Sequence, residues 1–155
     1  MFAKVKSNIY FKFLMGLFLF LMAGRVMASS PVYFFDSGNK NYLKSFDVGQ
    51  TEAAGYNLAV GDLGQDGISE VVVGSQPHME PEVFIYRGDG SLLNKFYAYN
   101  QQFRGGVKIA LGDLDGDGIN EIITGAGFGG GPHVRIFNAQ GEPTIDVGFF
   151  AFDAG

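Results

Sequence analysis

Apolar residues along this chain come in short runs broken by turn residues. Between 107 and 152 there are four of them: VKIALG (107–112), EIITG (121–125), HVRIFN (133–138) and TIDVGFFAF (144–152). An acidic stretch separates the first two, a glycine loop the second and third, and the turn AQGE the last two. Runs this short between turn signals read as β-strands, not helices. Neither VVV (71–73) nor II (122–123) alternates with polar residues, which predicts inner strands covered on both faces.

The pattern repeats. Shifted by 51 residues, GDLGQDGISEVVVG (61–74) falls on GDLDGDGINEIITG (112–125) with eight of fourteen positions identical. The same offset pairs Val32 with Val83 and Val134, Gly55 with Gly106, Ala59 with Ala110, Pro81 with Pro132, and Gly90 with Gly141. Four short antiparallel strands per unit of about 40 to 50 residues is the arithmetic of a β-propeller blade. The expected fold is therefore all-β. It comprises a half blade over 32–52, a blade over 53–104 and a blade over 105–155, together a partial β-propeller from 29 to 155. VYFFDS and YLKSFDV are the third and fourth strands of the opening blade. Its first two strands are missing from the sequence, so the expectation is the first two and a half blades, about, of a longer propeller cut short at its C-terminus.

Composition agrees. Twenty-four glycines, 16 phenylalanines and 7 tyrosines suit aromatic-rich strands joined by tight turns, and 46% hydrophobic residues suffice for a core. With no cysteine there is no disulfide, thiolate nucleophile or cysteine-bound zinc to propose. Residues 1–28 read as a secretory signal. Lys4, Lys6 and Lys12 precede an 11-residue run from Phe13 to Ala23, and Val26-Met27-Ala28 fits a cleavage site. That run is well short of the ~20 apolar residues a membrane span needs. A secreted, cell-surface or periplasmic protein is expected, with no stable membrane insertion after cleavage. Removing 1–28 takes away four basic residues and no acids, leaving a formal charge of 7 − 16 = −9, which disfavours nucleic acid and favours cations.

DGINEIITGAGFGGGPHVRIF (117–137), with its acidic loop, glycine loop, Gly-Pro before the third strand and aromatic fourth strand in order, resembles the FG-GAP or VCBS-type repeat family, related to the blades of integrin α-subunit propellers. The resemblance covers residues 32–155, nearly all of the chain after the signal. It implies a seven-bladed propeller as the full architecture, calcium in some blade loops, and a role in binding and adhesion outside the cell.

The chemistry of DLDGDGINE (113–121) supports calcium independently. Asp113, Asp115 and Asp117 stand at positions 1, 3 and 5, Gly118 permits a sharp turn at 6, Ile119 can offer its carbonyl at 7, and Glu121 supplies a carboxylate at 9. Crowded carboxylates repel unless a hard cation with oxygen ligands joins them. Position 12 is Thr124, in an apolar strand, so the loop is no EF-hand. The first-repeat loop, DLGQDGISE, keeps Asp62, Asp66, Ile68 and Glu70 but has Gly64 at position 3 and is the weaker candidate.

Three further motifs have plainer readings. GAGFGG (125–130) fits a dinucleotide fingerprint but runs into Pro132 and a strand, with no helix to receive a phosphate; close packing of the loop against a neighbouring blade explains its glycines better. RGD (87–89), an integrin-recognition tripeptide, overlaps the strong turn dipeptide Asp89-Gly90. His78 and His133 do not align in the repeat, which favours loop histidines over a shared site. No catalytic constellation emerges and the chain is not expected to be an enzyme. The functional expectation is a secreted calcium-binding propeller module that binds an extracellular protein or glycan, able to self-associate through open blade edges. The alternative is the non-catalytic propeller portion of an extracellular enzyme.

Overall fold

A computed structural model describes residues 31–35, 41–47, 56–144 and 148–152. The expected signal, residues 1–28, lies outside them. All regular structure among the described residues is β. A hairpin of β1 (Pro31–Phe35) and β2 (Tyr42–Asp47) comes first. One four-stranded antiparallel sheet follows, in the order β3 (Asn57–Gly61), β4 (Glu70–Gly74), β5 (Glu82–Tyr86) and β6 (Leu92–Tyr97). A second sheet has the order β7 (Val107–Gly112), β8 (Glu121–Ala126), β9 (His133–Phe137) and β10 (Phe149–Phe150). Two four-stranded sheets in sequence order, each a meander, are the partial propeller blades that the 51-residue repeat predicts.

The strand β4 shows why its valines do not alternate with polar residues. Val71, Val72 and Val73 are all fully buried. Val71 and Val73 join Tyr86 in a cluster that takes in Val32 and Phe46 of the β1–β2 hairpin. Val72 points the other way, into a cluster with Val83, Ile85, Ile122 and Phe137. The hairpin thus packs on one face of the first full sheet and the second sheet on the other. Burying a valine completely is worth roughly 1.5–3 kcal/mol, so a strand apolar on both faces is held by both neighbours.

The junction between the two sheets is close. β7 packs on β3 and β4, Val107 donates its N–H to the Ser75 carbonyl at 2.9 Å, and Lys108 Nζ reaches Asn57 Oδ1 at 3.2 Å. Arg135 donates to the Ala98 carbonyl at 2.6 Å and lies 4.9 Å over the Phe137 ring.

One expected strand is shorter among the described residues. TIDVGFFAF reads as a single strand over 144–152, whereas the described part pairs only Phe149 with Val134 and Phe150 with His133. The return begins with an isolated bridge between Phe137 and Pro143 and a bond from Thr144 N–H to the Ile136 carbonyl. Pro143 has no N–H to continue a ladder. Gly148, at φ +69°, brings its backbone so near the Val134 carbonyl that a Cβ would lie 2.3 Å from it.

Candidate metal centre

The acidic loop connects β7 to β8, two strands paired from Val107–Ala126 to Gly112–Glu121. Its turns need left-handed backbone at Gly116 (φ +81°) and Gly118 (φ +88°). The aspartates face inward because the loop's own amides hold them. Asp113 accepts from Gly116 N–H at 2.7 Å and from Gly118 N–H at 2.9 Å, Asp115 from Asp117 N–H at 3.1 Å, and Asp117 from Ile119 N–H at 2.7 Å.

This folding gathers Asp113, Asp115 and Asp117 so that one carboxylate oxygen of each lies within 4.8 Å of the others, all three side chains being exposed. The donor set fits a hard divalent cation: three carboxylates converge from alternate positions, and an oxygen bonded to an amide keeps a second lone pair. Glu121 lies outside this triplet. It is buried, and its Oε2 accepts the Leu114 N–H at 2.8 Å, closing the loop across its base.

The first-repeat loop has the same frame with fewer acids. Asp62 accepts from Gly64 and Gly67 N–H at 2.9 and 2.8 Å, Asp66 from Ile68 N–H at 2.8 Å, and Glu70 from Leu63 N–H at 3.0 Å. Those amide bonds hold the Asp62 carboxyl below its ordinary range. Asp62, Asp66 and Glu70 form no such triplet, and the three aspartates of the second loop are the metal-competent group among the described residues.

Two residues that the repeat register passes over tie the loops together. Gln65, itself left-handed at φ +54° where the second loop has Gly116, donates its side-chain amide to the Asp117 carbonyl at 3.0 Å. Asn120 donates to the Asp62 carbonyl at 2.8 Å. Both are positions at which the two copies differ, so comparing the repeats for identity hides them.

The RGD tripeptide follows its plainer reading as a turn, whereas the glycine loop packs on the connection into its own sheet and not on a neighbouring blade, and His133 lies in a strand and not in a loop. Gly127 and Gly130 press on Gly105 and Phe103, the connection into their own sheet, where a Cβ on Gly127 would lie 2.0 Å from the Gly105 carbonyl. That loop lifts Phe128 to 95% exposure at its tip. In the RGD turn, Gly90 takes φ +91°, Gly90 N–H bonds the Arg87 carbonyl, and the Asp89 carboxylate accepts Ser91 N–H at 2.8 Å. His78 sits in the β4–β5 loop, while His133 opens β9 between Tyr99 and Phe150.

The bonds to Ser91 depress the Asp89 pKa. A group depressed on folding contributes stability that is complete above its unfolded value of about 3.9 and is lost as pH falls through the lower folded value. Asp89→Ala should therefore lower stability slightly at neutral pH and converge with the wild type at acid pH, so that the acid end of the stability–pH curve flattens, as read by urea midpoints at several pH values.

An all-β chain of repeated four-stranded sheets, with an acidic hairpin loop between the first two strands of each, defines a propeller-blade repeat protein. The FG-GAP-like repeat family model matches residues 62–124. Rat integrin alpha-7 is 34% identical over 103 residues, 58% of this chain and 9% of that protein. Xenopus laevis integrin alpha-5 is 35% identical over 107 residues, 56% of this chain and 10% of that protein. Chicken integrin alpha-8 is 29% identical over 119 residues, 64% of this chain and 11% of that protein. The repeats of this chain are FG-GAP, integrin-alpha-like repeats. The chain spans about a tenth of the length of these relatives. Among the described residues no helix is long and apolar enough to cross a membrane.

Proposed function

We propose that this chain is an extracellular, adhesion-related propeller module in which Ca²⁺ held by the second-repeat loop has a structural role, and in which the blade loops meet a protein or glycan partner. The observation that carries the reading is the convergence of Asp113, Asp115 and Asp117. With the metal present, their oxygens, the Ile119 carbonyl and the Glu121 carboxylate form its ligand set, and the ion pins β7 to β8. The Asp62, Asp66, Ile68 and Glu70 loop, lacking a third converging acid, is the weaker site. The integrin relatives support the adhesive part, and exposed Phe128 gives the loop side an aromatic contact of the kind protein and glycan partners use. The proposed limits are signal 1–28 and propeller 29–155.

Calcium binding to the folded state stabilises it by mass action: a hundredfold excess over Kd contributes about 2.7 kcal/mol. Melting should rise by several degrees in millimolar calcium, and Asp115→Ala should remove most of that rise without changing the melt in chelator. A melting temperature indifferent to calcium and chelator would sink the metal reading.

A further inference from the structure

Gln65 stands in a backbone conformation that glutamine rarely takes. Its φ is +54°, at the position where the second loop has Gly116 at +81°. A side chain enters the left-handed region only at a steric cost, and such an outlier persists where its surroundings hold it. Here the hold is on the neighbouring blade. The Gln65 side-chain amide donates to the Asp117 carbonyl at 3.0 Å, and a Cβ on Gly118 would lie 2.7 Å from its nitrogen. Gly118 thus needs to be bare for a second reason besides its own φ of +88°: the amide occupies the space of a side chain.

The bond continues into the acidic cluster. The carbonyl of Asp117 and the N–H of Gly118 belong to one peptide unit, and that N–H donates to Asp113 Oδ2 at 2.9 Å. Gln65 therefore grips the far side of the peptide that orients Asp113, and hydrogen bonds in series through a peptide polarise one another. A matching pair runs the other way. Asn120 donates to the Asp62 carbonyl at 2.8 Å, and Leu63 N–H, the other end of that peptide, donates to the buried Glu70 carboxylate at 3.0 Å. Each loop holds, from outside, a peptide that orients a carboxylate of the other.

We propose that Gln65 is a positioning residue for the cation of the second loop, so that the first loop, with Gly64 in place of an acid, serves as a clamp on its neighbour. This rests on the calcium reading of Asp113, Asp115 and Asp117. The ligand set takes the Ile119 carbonyl and not that of Asp117, so Gln65 and the ion do not compete for an oxygen. Holding the peptide fixes Asp113 Oδ2 before the ion arrives, and a ligand oxygen held in advance costs less to order on binding. Linkage makes the effect reciprocal: a clamp that favours the ion is tightened by it, so calcium joins the two blades as well as β7 to β8.

Isothermal titration of the full chain with calcium chloride tests this in the wild type, Gln65→Gly and Gln65→Met. Methionine keeps the length and the left-handed φ but has no N–H to donate, and glycine relieves the backbone as well. Both variants should bind calcium about three- to tenfold more weakly, the worth of one hydrogen bond. In chelator, Gln65→Gly should unfold in urea at about the wild-type midpoint, and the Gly118 amide proton should exchange faster in both variants. A lowered chelator midpoint with unchanged affinity would assign Gln65 to folding alone and overturn the proposal. Wild-type affinity in Gln65→Met, or unchanged Gly118 exchange in both variants, would do the same. A wild type that binds no calcium would overturn the metal reading and this inference with it, whereas equal binding by all three proteins would sink this inference alone.

Discussion

Replacing Phe137 with alanine should destabilise the protein by about 3–5 kcal/mol, the largest effect expected of any single truncation here. Phe137 is 1% exposed and lies in the cluster that includes Val72 and Ile85 of the first full sheet and Ile122 of the second. Its ring centroid is 4.8 Å from that of Phe96, and the Arg135 guanidinium rests on it. Truncation leaves a cavity between two sheets whose backbones are already bonded, so little collapse is available to fill it. Urea unfolding should show a lower midpoint with an unchanged slope. A loss below about 1 kcal/mol would mean that this cluster does not join the sheets. Phe150→Ser, at an exposed position, should change stability by no more than about 0.5 kcal/mol.

The fold was legible in the sequence because its signals are local and occur twice. Short apolar runs, turn dipeptides and the spacing of Asp113, Asp115 and Asp117 depend on neighbours within a dozen residues, and the other repeat carries the apolar runs and the Asp-Gly turn of the acidic loop, though it has Gly64 where Asp115 stands. What escaped depends on atoms brought from another strand or another repeat. The close approach of Gly148 to the Val134 carbonyl beside β10 is one such contact. The bonds from Gln65 to Asp117 and from Asn120 to Asp62 run between loops of different sheets, at positions where identity between the repeats is lost. Glu121 has the residue type of a ligand, but its partner, the Leu114 N–H across the loop base, became visible only in three dimensions. A repeat makes positions equal in sequence without making their surroundings equal.

Gly74 and Gly125 make that inequality measurable. They are equivalent glycines, Gly74 the last residue of β4 and Gly125 the last but one of β8, and neither has a positive φ. A Cβ on Gly74 would stand 2.3 Å from the Val107 carbonyl oxygen and 2.8 Å from Ile109 Cγ1. Val107 cannot easily retreat, because its N–H is bonded to the Ser75 carbonyl of the neighbouring strand. Gly74→Ala must therefore push the sheets apart, at a cost of about 1–3 kcal/mol or more. A Cβ on Gly125 would find only Lys108 Cβ of its own sheet, at 3.5 Å, an ordinary contact. Gly125→Ala should be neutral or stabilise by up to about 1 kcal/mol, since alanine has less freedom to lose on folding. The comparison is best made by urea unfolding. Equal losses from the two substitutions would show that the strand itself requires glycine. A loss at Gly74 alone assigns the requirement to the sheet packed against it, the neighbour that leaves one side of Gly125 open.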